Sequence, residues 1–203
     1  MIPVVEKEYP LTKWLIIINV TVYMILAFLT GSFLSLAAHP ILLFVAQFNA
    51  FVYRGLVYEL FTSLFVHFDI LHLLMNMFFL YILGRQFEVS FSKKDYIIVY
   101  FIGGLIGNIF TLVLGPYVLS GGASGAIFSM YAFVITVFYK RQRQSLKSVI
   151  YLLILMLLIN MGFQSNFLAH AGGAFFGLLY GLYYLRRFRV SRGGFYIYEE
   201  VTY

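Results

Sequence analysis

Residues 168–185 read LAHAGGAFFGLLYGLYYL, and the fold turns on them. The run is apolar, yet it carries His170 in its first turn and glycines at Gly173, Gly177 and Gly181, one every four residues. In a helix of 3.6 residues per turn those glycines form one stripe, and such a stripe lets two helix backbones approach closely inside a bilayer. A second stretch answers it. Gly122-Ala123-Ser124-Gly125 heads the apolar run 123–139, so a serine and a histidine each open a helix beside glycines. A nucleophile and its base need that arrangement: a serine side chain is short, and His170 reaches Ser124 to about 3 Å only where their helices nearly touch.

The rest of the chain supplies the bilayer. Hydrophobic residues make up 62% of the 203 and charged residues 11%, with a mean hydropathy of +0.90. A soluble domain is about half apolar and a quarter charged. A helix needs about 20 mostly apolar residues to cross the hydrocarbon core. Apolar runs at 14–30, 69–84, 96–114, 123–139, 148–163 and 168–185 predict an all-α, polytopic membrane protein, a six-transmembrane-helix bundle. The whole of 1–203 is expected to be one membrane domain, with the bundle at about 14–185 and with 1–13 and 186–203 as cytoplasmic ends. The run from Trp14 to Leu29 is longer than the core of a signal peptide, so it is expected to stay as a span. Between the first two helices, 31–68 is apolar and aromatic but broken by Gly31, His39, Pro40, Gln47, Asn49, Arg54, Gly55 and Glu59. It reads as an outer interfacial or partly embedded loop, tolerable at that depth only against protein or water.

Alternating sides at each span puts Lys7, Lys13, Arg85, Lys93, Lys94, Lys140, Arg141, Arg143, Lys147, Arg186, Arg187, Arg189 and Arg192 on one side and Arg54 alone on the other, which accounts for all 14 Lys and Arg. The positive-inside rule then makes both termini cytoplasmic and the ends bearing Ser124 and His170 outer. A prokaryotic cell membrane is the expected location, on the minimal six-span layout. The net charge of +6 serves orientation rather than nucleic-acid binding, because the basic residues lie between apolar spans.

Asp69 is a candidate N-cap for the second helix, and His72 and Asn76 follow on one face, four residues and about 40° apart. Three helices thus bring Ser124, His170, His72 and Asn76 to a common outer level. Taken singly, Ser124 among glycines fits packing and Asn76 fits a hydrogen bond between helices. The histidines weigh more, since ionisable groups inside spans usually face a bundle interior or a wet cavity. His67 and His39 fall in or near the outer loop, where solvent can satisfy them, and take no catalytic role. The fifth run, Ile150 to Ile159, is bulky and aliphatic all round and reads as loosely held and lipid-facing.

With no cysteine, thiolate chemistry is excluded. There is no His-Glu-x-x-His for a zinc enzyme and no pair of aspartates inside spans for an aspartyl enzyme. No metal or organic cofactor is indicated. Histidine count alone leaves open a haem held by His72 and His170. A small transporter is also open, though its polar path would end in a cluster at one end of the bundle.

The order His72-x-x-x-Asn76, Gly122-x-Ser124-Gly125 and Ala169-His170-x-x-Gly173-x-x-x-Gly177, on the second, fourth and sixth runs, resembles the rhomboid intramembrane serine proteases. The similarity runs from about Tyr58 to Gly181 and includes Phe61-Thr62 through His67 and the tract Leu71 to Asn76. The resemblance implies Ser124 as nucleophile and His170 as general base, with no carboxylate required. It implies an oxyanion hole of the Ser124 amide and the side chains of His72 and Asn76. Gly122, Gly125, Gly173 and Gly177 would support the close approach, and Phe128 would stack on His170. The implied substrates are single-span membrane proteins that enter from the lipid bilayer beside the fifth span and unwind locally. The chain departs from the family at Tyr58-Glu59, where many members carry Trp-Arg, which bears on how the outer loop is anchored. It departs again at Phe128, often a tyrosine. The same resemblance admits a catalytically inactive member that binds membrane clients, although such members usually lose the serine or the histidine.

Overall fold

The computed structural model describes residues 9–36, 39–160 and 166–187. Helix α1 (Pro10–Thr30) starts on a proline, whose missing N–H costs nothing at a helix start. It ends at Gly31, whose φ of 68° closes the left-handed cap. The first-turn amides of α1 are met from outside: the Glu88 carboxylate accepts from Thr12 N at 2.6 Å and from Leu11 N at 3.3 Å. By length and apolar composition α1 can cross a membrane, as can α5 (Ile70–Ser90).

Between them the chain is more ordered than a plain loop. It forms α2 (Leu42–Val45), β1 (Gln47–Phe48), α3 (Asn49–Tyr53), α4 (Glu59–Thr62) and a 3₁₀ turn, Ser63–Phe65. Backbone this far into an apolar structure has to pair internally, and it does so partly through side chains. Glu59, fully buried, takes the Phe48 amide at 2.8 Å. Asn49 donates to the carbonyls of Thr111 and Gly115 at 3.0 and 2.7 Å. Strand β1 pairs antiparallel with β2 (Leu119–Ser120), Gln47 opposite Ser120 and Phe48 opposite Leu119. Residues 47–48 are thereby tied to the strand that leads to Ser124, and at the Tyr58-Glu59 departure the Glu59 carboxylate accepts a backbone amide of the same segment.

The third apolar stretch is continuous but not uniform. Helix α6 (Lys93–Ile97) passes through a π-helical turn, Ile98–Ile102, into α7 (Gly103–Thr111) and a last 3₁₀ turn, Leu112–Leu114. The whole of Lys93–Leu114 is long and apolar enough to cross a membrane. Three further helices follow: α8 (Ser124–Arg141), α9 (Leu146–Asn160) and α10 (Phe167–Arg187). Among the described residues, three helical segments meet the length and hydropathy of a span, and Leu146–Leu158 of α9 is a shorter apolar helix. Helices α8 and α10 bury Ser129, Thr136, Gly172, Gly173, Gly177 and Gly181 against their neighbours, so their polarity lies inside the molecule. The end of the fifth run, 161–163, and the polar tail from 188 onward lie outside the described residues.

The aromatic core gathers where these helices meet. Phe133 of α8 packs on Phe87 of α5 with ring centres 5.0 Å apart and on Tyr184 of α10 at 5.4 Å. At the other end from Ser124, Asp95 ties α6 to α10, with its carboxylate accepting from Ser92 Oγ at 2.6 Å and from Tyr180 OH at 2.8 Å.

Candidate active site

Helix α8 begins at Ser124 and α10 carries His170 in its first turn, and Nε2 of His170 lies 2.8 Å from Ser124 Oγ. The glycine stripe explains how two side chains so short of reach can meet. A methyl on Gly173 would come within 2.9 Å of the carbonyl carbon of Gly125, and closer still to its oxygen. One on Gly177 would come within 2.8 Å of the Ser129 carbonyl carbon and 3.0 Å of Ala132 Cβ. Carbon atoms in contact ordinarily stay about 3.5–4.0 Å apart. Helix α7 approaches α10 closely as well, since a methyl on Gly107 would lie 2.5 Å from the Ala169 carbonyl oxygen. The role of Gly107 is not legible in the sequence: an isolated glycine in an apolar run gives no sign of which neighbour it admits.

The segment before Ser124 is shaped by Gly122, whose φ of 119° a side chain rarely adopts. Its amide donates to the Ser63 carbonyl at 2.9 Å. The imidazole of His72 occupies the space beside its Cα, 2.8 Å from where a Cβ would stand, and that same point is 3.9 Å from Ser124 Oγ. His72 is therefore held next to the serine. Its own position is set by Asp69, which caps α5 by accepting the His72 amide at 2.7 Å, as its place before the apolar run predicts. Asn76 is buried, one turn further on, and its Nδ2 donates to the His72 carbonyl at 2.8 Å.

Phe128, one turn into α8, lies flat on the His170 ring, with centres 4.2 Å apart and planes 11° from parallel. His170 is 4% exposed, whereas Ser124 and His72 are half-buried. Among the described residues no carboxylate is hydrogen-bonded to His170, and no group of three or more His, Asp or Glu could hold a metal ion.

His67 corrects an expectation. It is fully buried rather than solvated, with neither ring nitrogen in a well-formed hydrogen bond, and its ring packs edge-on against His72 at 5.0 Å. The short helices and strand pairing of the segment between α1 and α5 close over it, and a lone histidine in the apolar stretch Leu64 to Phe68 gives no warning of that. Burial, with His72 adding to it, pushes the His67 pKa down to about 3. Asn166 is a residue that the motifs leave out. It caps α10, with Oδ1 accepting the Ala169 amide at 3.2 Å. An asparagine heading an apolar periodic run is the ordinary signal for such a cap, so a local signature for it exists.

The sequence pattern of the family described as Rhomboid domain matches residues 54–187. The chain is similar to Rhomboid-like protease 3 of Toxoplasma gondii, 27% identical over 179 residues that span 84% of this chain and 68% of that protein. It is similar to Rhomboid protease GluP of Bacillus subtilis (strain 168), 30% identical over 120 residues, 59% of this chain and 24% of that protein. Rhomboid-like protein 11, chloroplastic, of Arabidopsis thaliana is 31% identical over 125 residues, 61% of this chain and 41% of that protein.

Proposed function

The chain belongs to the rhomboid family and is an integral membrane protein, and from that premise we propose that it is an intramembrane serine endopeptidase working through a Ser124–His170 dyad. One observation carries the reading: the 2.8 Å contact between His170 Nε2 and Ser124 Oγ, across two helices whose glycines let their backbones touch. His170 takes the proton of Ser124 as the oxygen attacks the substrate carbonyl carbon. The tetrahedral oxyanion is met by the Ser124 amide, which opens α8 and has no partner within its helix, and by the side chains of His72 and Asn76. Collapse breaks the peptide bond, and the leaving amine takes the proton from His170. Water, activated by the same imidazole, then hydrolyses the acyl enzyme and frees Ser124. No cofactor enters the scheme.

Six spans form the bundle in this reading, in a single domain, with both termini cytoplasmic and the dyad opening to the outer face. The positive-inside tally supports that orientation. The half-buried Ser124 and His72 leave access from the outer end, where water can enter. Substrates are single-span membrane proteins. A helical peptide bond is paired and shielded, so cleavage falls where small or polar residues weaken the substrate helix near its outer end. The bulky, outward-facing α9, with exposed Tyr151, Ile154 and Leu158, supports entry from the lipid on that side.

The test is cleavage of a labelled reporter transmembrane substrate by detergent-solubilised protein, comparing wild type with Ser124→Ala and His170→Ala. Both variants are expected to melt as wild type does and to lose cleavage. Inert wild type, or a Ser124→Ala variant that still cleaves, overturns the reading in favour of client binding without chemistry.

A further inference from the structure

Asn166 connects both halves of the dyad through one side chain. Its Oδ1 caps the helix that carries His170, accepting the amide of Ala169 at 3.2 Å, and its backbone carbonyl accepts the His170 amide at 3.2 Å. Its Nδ2 donates twice, to Thr111 Oγ1 at 2.8 Å and to Ser120 Oγ at 2.9 Å. Thr111 ends α7 and is fully buried, with its own hydroxyl turned to the Gly107 carbonyl at 3.3 Å. Ser120 is the last residue of β2, buried, four positions before Ser124. The amide therefore uses its acceptor on the helix of the base and both its donors on the elements that lead to the nucleophile. A cap alone needs only the acceptor.

Resting on the serine-protease reading above, we infer that Asn166 is a positioning residue that sets the distance between His170 and Ser124 by tying the start of α10 to β2 and to the end of α7. The glycine contacts set the spacing of α8 and α10 across their axes but not the slide of one along the other. The three side-chain bonds of Asn166 oppose that slide at the level of the dyad. A shift of about 1 Å between reacting groups costs about 10²-fold in rate.

The experiment compares Asn166→Ala, Asn166→Ser and Asn166→Asp with wild type. It measures kcat and KM on the reporter substrate per site labelled by a fluorophosphonate, and thermal melting in the same detergent. Asn166→Ala is expected to lower kcat about 10²-fold with KM unchanged, and to lower the melting midpoint. Asn166→Ser keeps a capping oxygen but cannot span to the two hydroxyls, so it restores melting and leaves kcat low. Asn166→Asp restores both, because the hydroxyls of Ser120 and Thr111 can turn and donate to the carboxylate. Ser120→Ala removes one tether and leaves the cap, so a fall in kcat at unchanged melting is expected there even if Asn166→Ala does not fold. The inference is overturned if kcat per labelled site is unchanged in the Ala variants, or if Asn166→Ser recovers rate along with stability. A wild type that neither labels nor cleaves overturns the protease reading itself, whereas an active wild type with indifferent variants overturns only the role of Asn166.

Discussion

The sharpest test of the helix contact is Gly173→Ala, a change of one methyl. With the backbone unmoved, that methyl lies 2.9 Å from the Gly125 carbonyl carbon and 3.3 Å from Gly125 Cα, with the carbonyl oxygen nearer still. All three are main chain, so no side chain can turn aside. Relief to an ordinary carbon contact of about 3.5–4.0 Å requires α10 to retreat from α8 by about 1 Å. Gly125 follows Ser124 directly and Gly173 lies three residues after His170, so the retreat is delivered at the dyad. The 2.8 Å contact becomes about 3.8 Å, beyond hydrogen-bond range. The expected loss is about 10²-fold in kcat, with overpacking destabilising the fold by about 1–3 kcal/mol. The assay is initial rate on the reporter substrate per folded protein, beside thermal melting. Leu179→Ala, at a position 47% exposed on the same helix, is the control and should leave the rate as it is. A Gly173→Ala enzyme within about threefold of wild type would refute the reasoning, because the two backbones would then have had slack that the geometry denies.

Other expectations follow from the same site. His72→Ala and Asn76→Ala should each reduce kcat by about 10²–10³-fold with melting little changed, as expected of donors to a developing oxyanion; unaltered kcat in either variant removes that residue from the oxyanion hole. Phe128→Leu removes a ring stacked on His170 at 4.2 Å, a contact worth about 0.5–1.5 kcal/mol, so the rate should fall by about two- to tenfold, and Phe128→Tyr should keep it. His67 predicts an acid limb in stability. Its pKa is held down to about 3 in the fold, against about 6.5 when unfolded, so the unfolded chain binds more protons at acidic pH. Stability is full above about pH 6.5 and is lost as pH falls toward 3. His67→Leu should flatten the drop in melting midpoint between pH 7 and pH 4.5, and an unchanged drop would mean that His67 is solvated.

What the sequence makes legible follows periodicity and capping. The apolar runs at 14–30, 69–84 and 96–114, the Asp69 cap and the four-residue glycine stripe each depend on neighbours within a turn or two, and each has a counterpart in the described structure. Span count is a harder matter, because α8 and α10 are less apolar than lipid-facing helices, and hydropathy alone selects three segments. What stays hidden depends on partners far along the chain. His67 is buried because β1 and the short helices fold over it, and β1 is held by a strand some seventy residues later. Glu59 looks like an exposed charge until Phe48 N is placed on it. Asn166 has a local signature as a cap, but its two donor bonds, to Thr111 and Ser120, are tertiary and leave no trace in the spacing.

Among the described residues no carboxylate bonds to His170, and that has a structural consequence. In a three-residue arrangement the acid turns the imidazole toward the nucleophile and stabilises it once protonated. Here the ring has Phe128 on one face, an apolar partner that fixes the plane but offers no charge. The remaining freedom is translation of the helix that carries the histidine, and that is opposed by main-chain contacts at Gly107, Gly125 and Ser129 and by the side chain of Asn166. Orientation is thus supplied by packing rather than by a charge. A buried carboxylate in a bilayer would need its own partners and would cost several kcal/mol without them, whereas glycine contacts gain close packing, a main source of helix association in lipid. The dyad in this reading is workable in a membrane because the task of aiming its base has been moved into the helix interface, and the same transfer makes its rate sensitive to single methyl groups several residues from the reacting atoms.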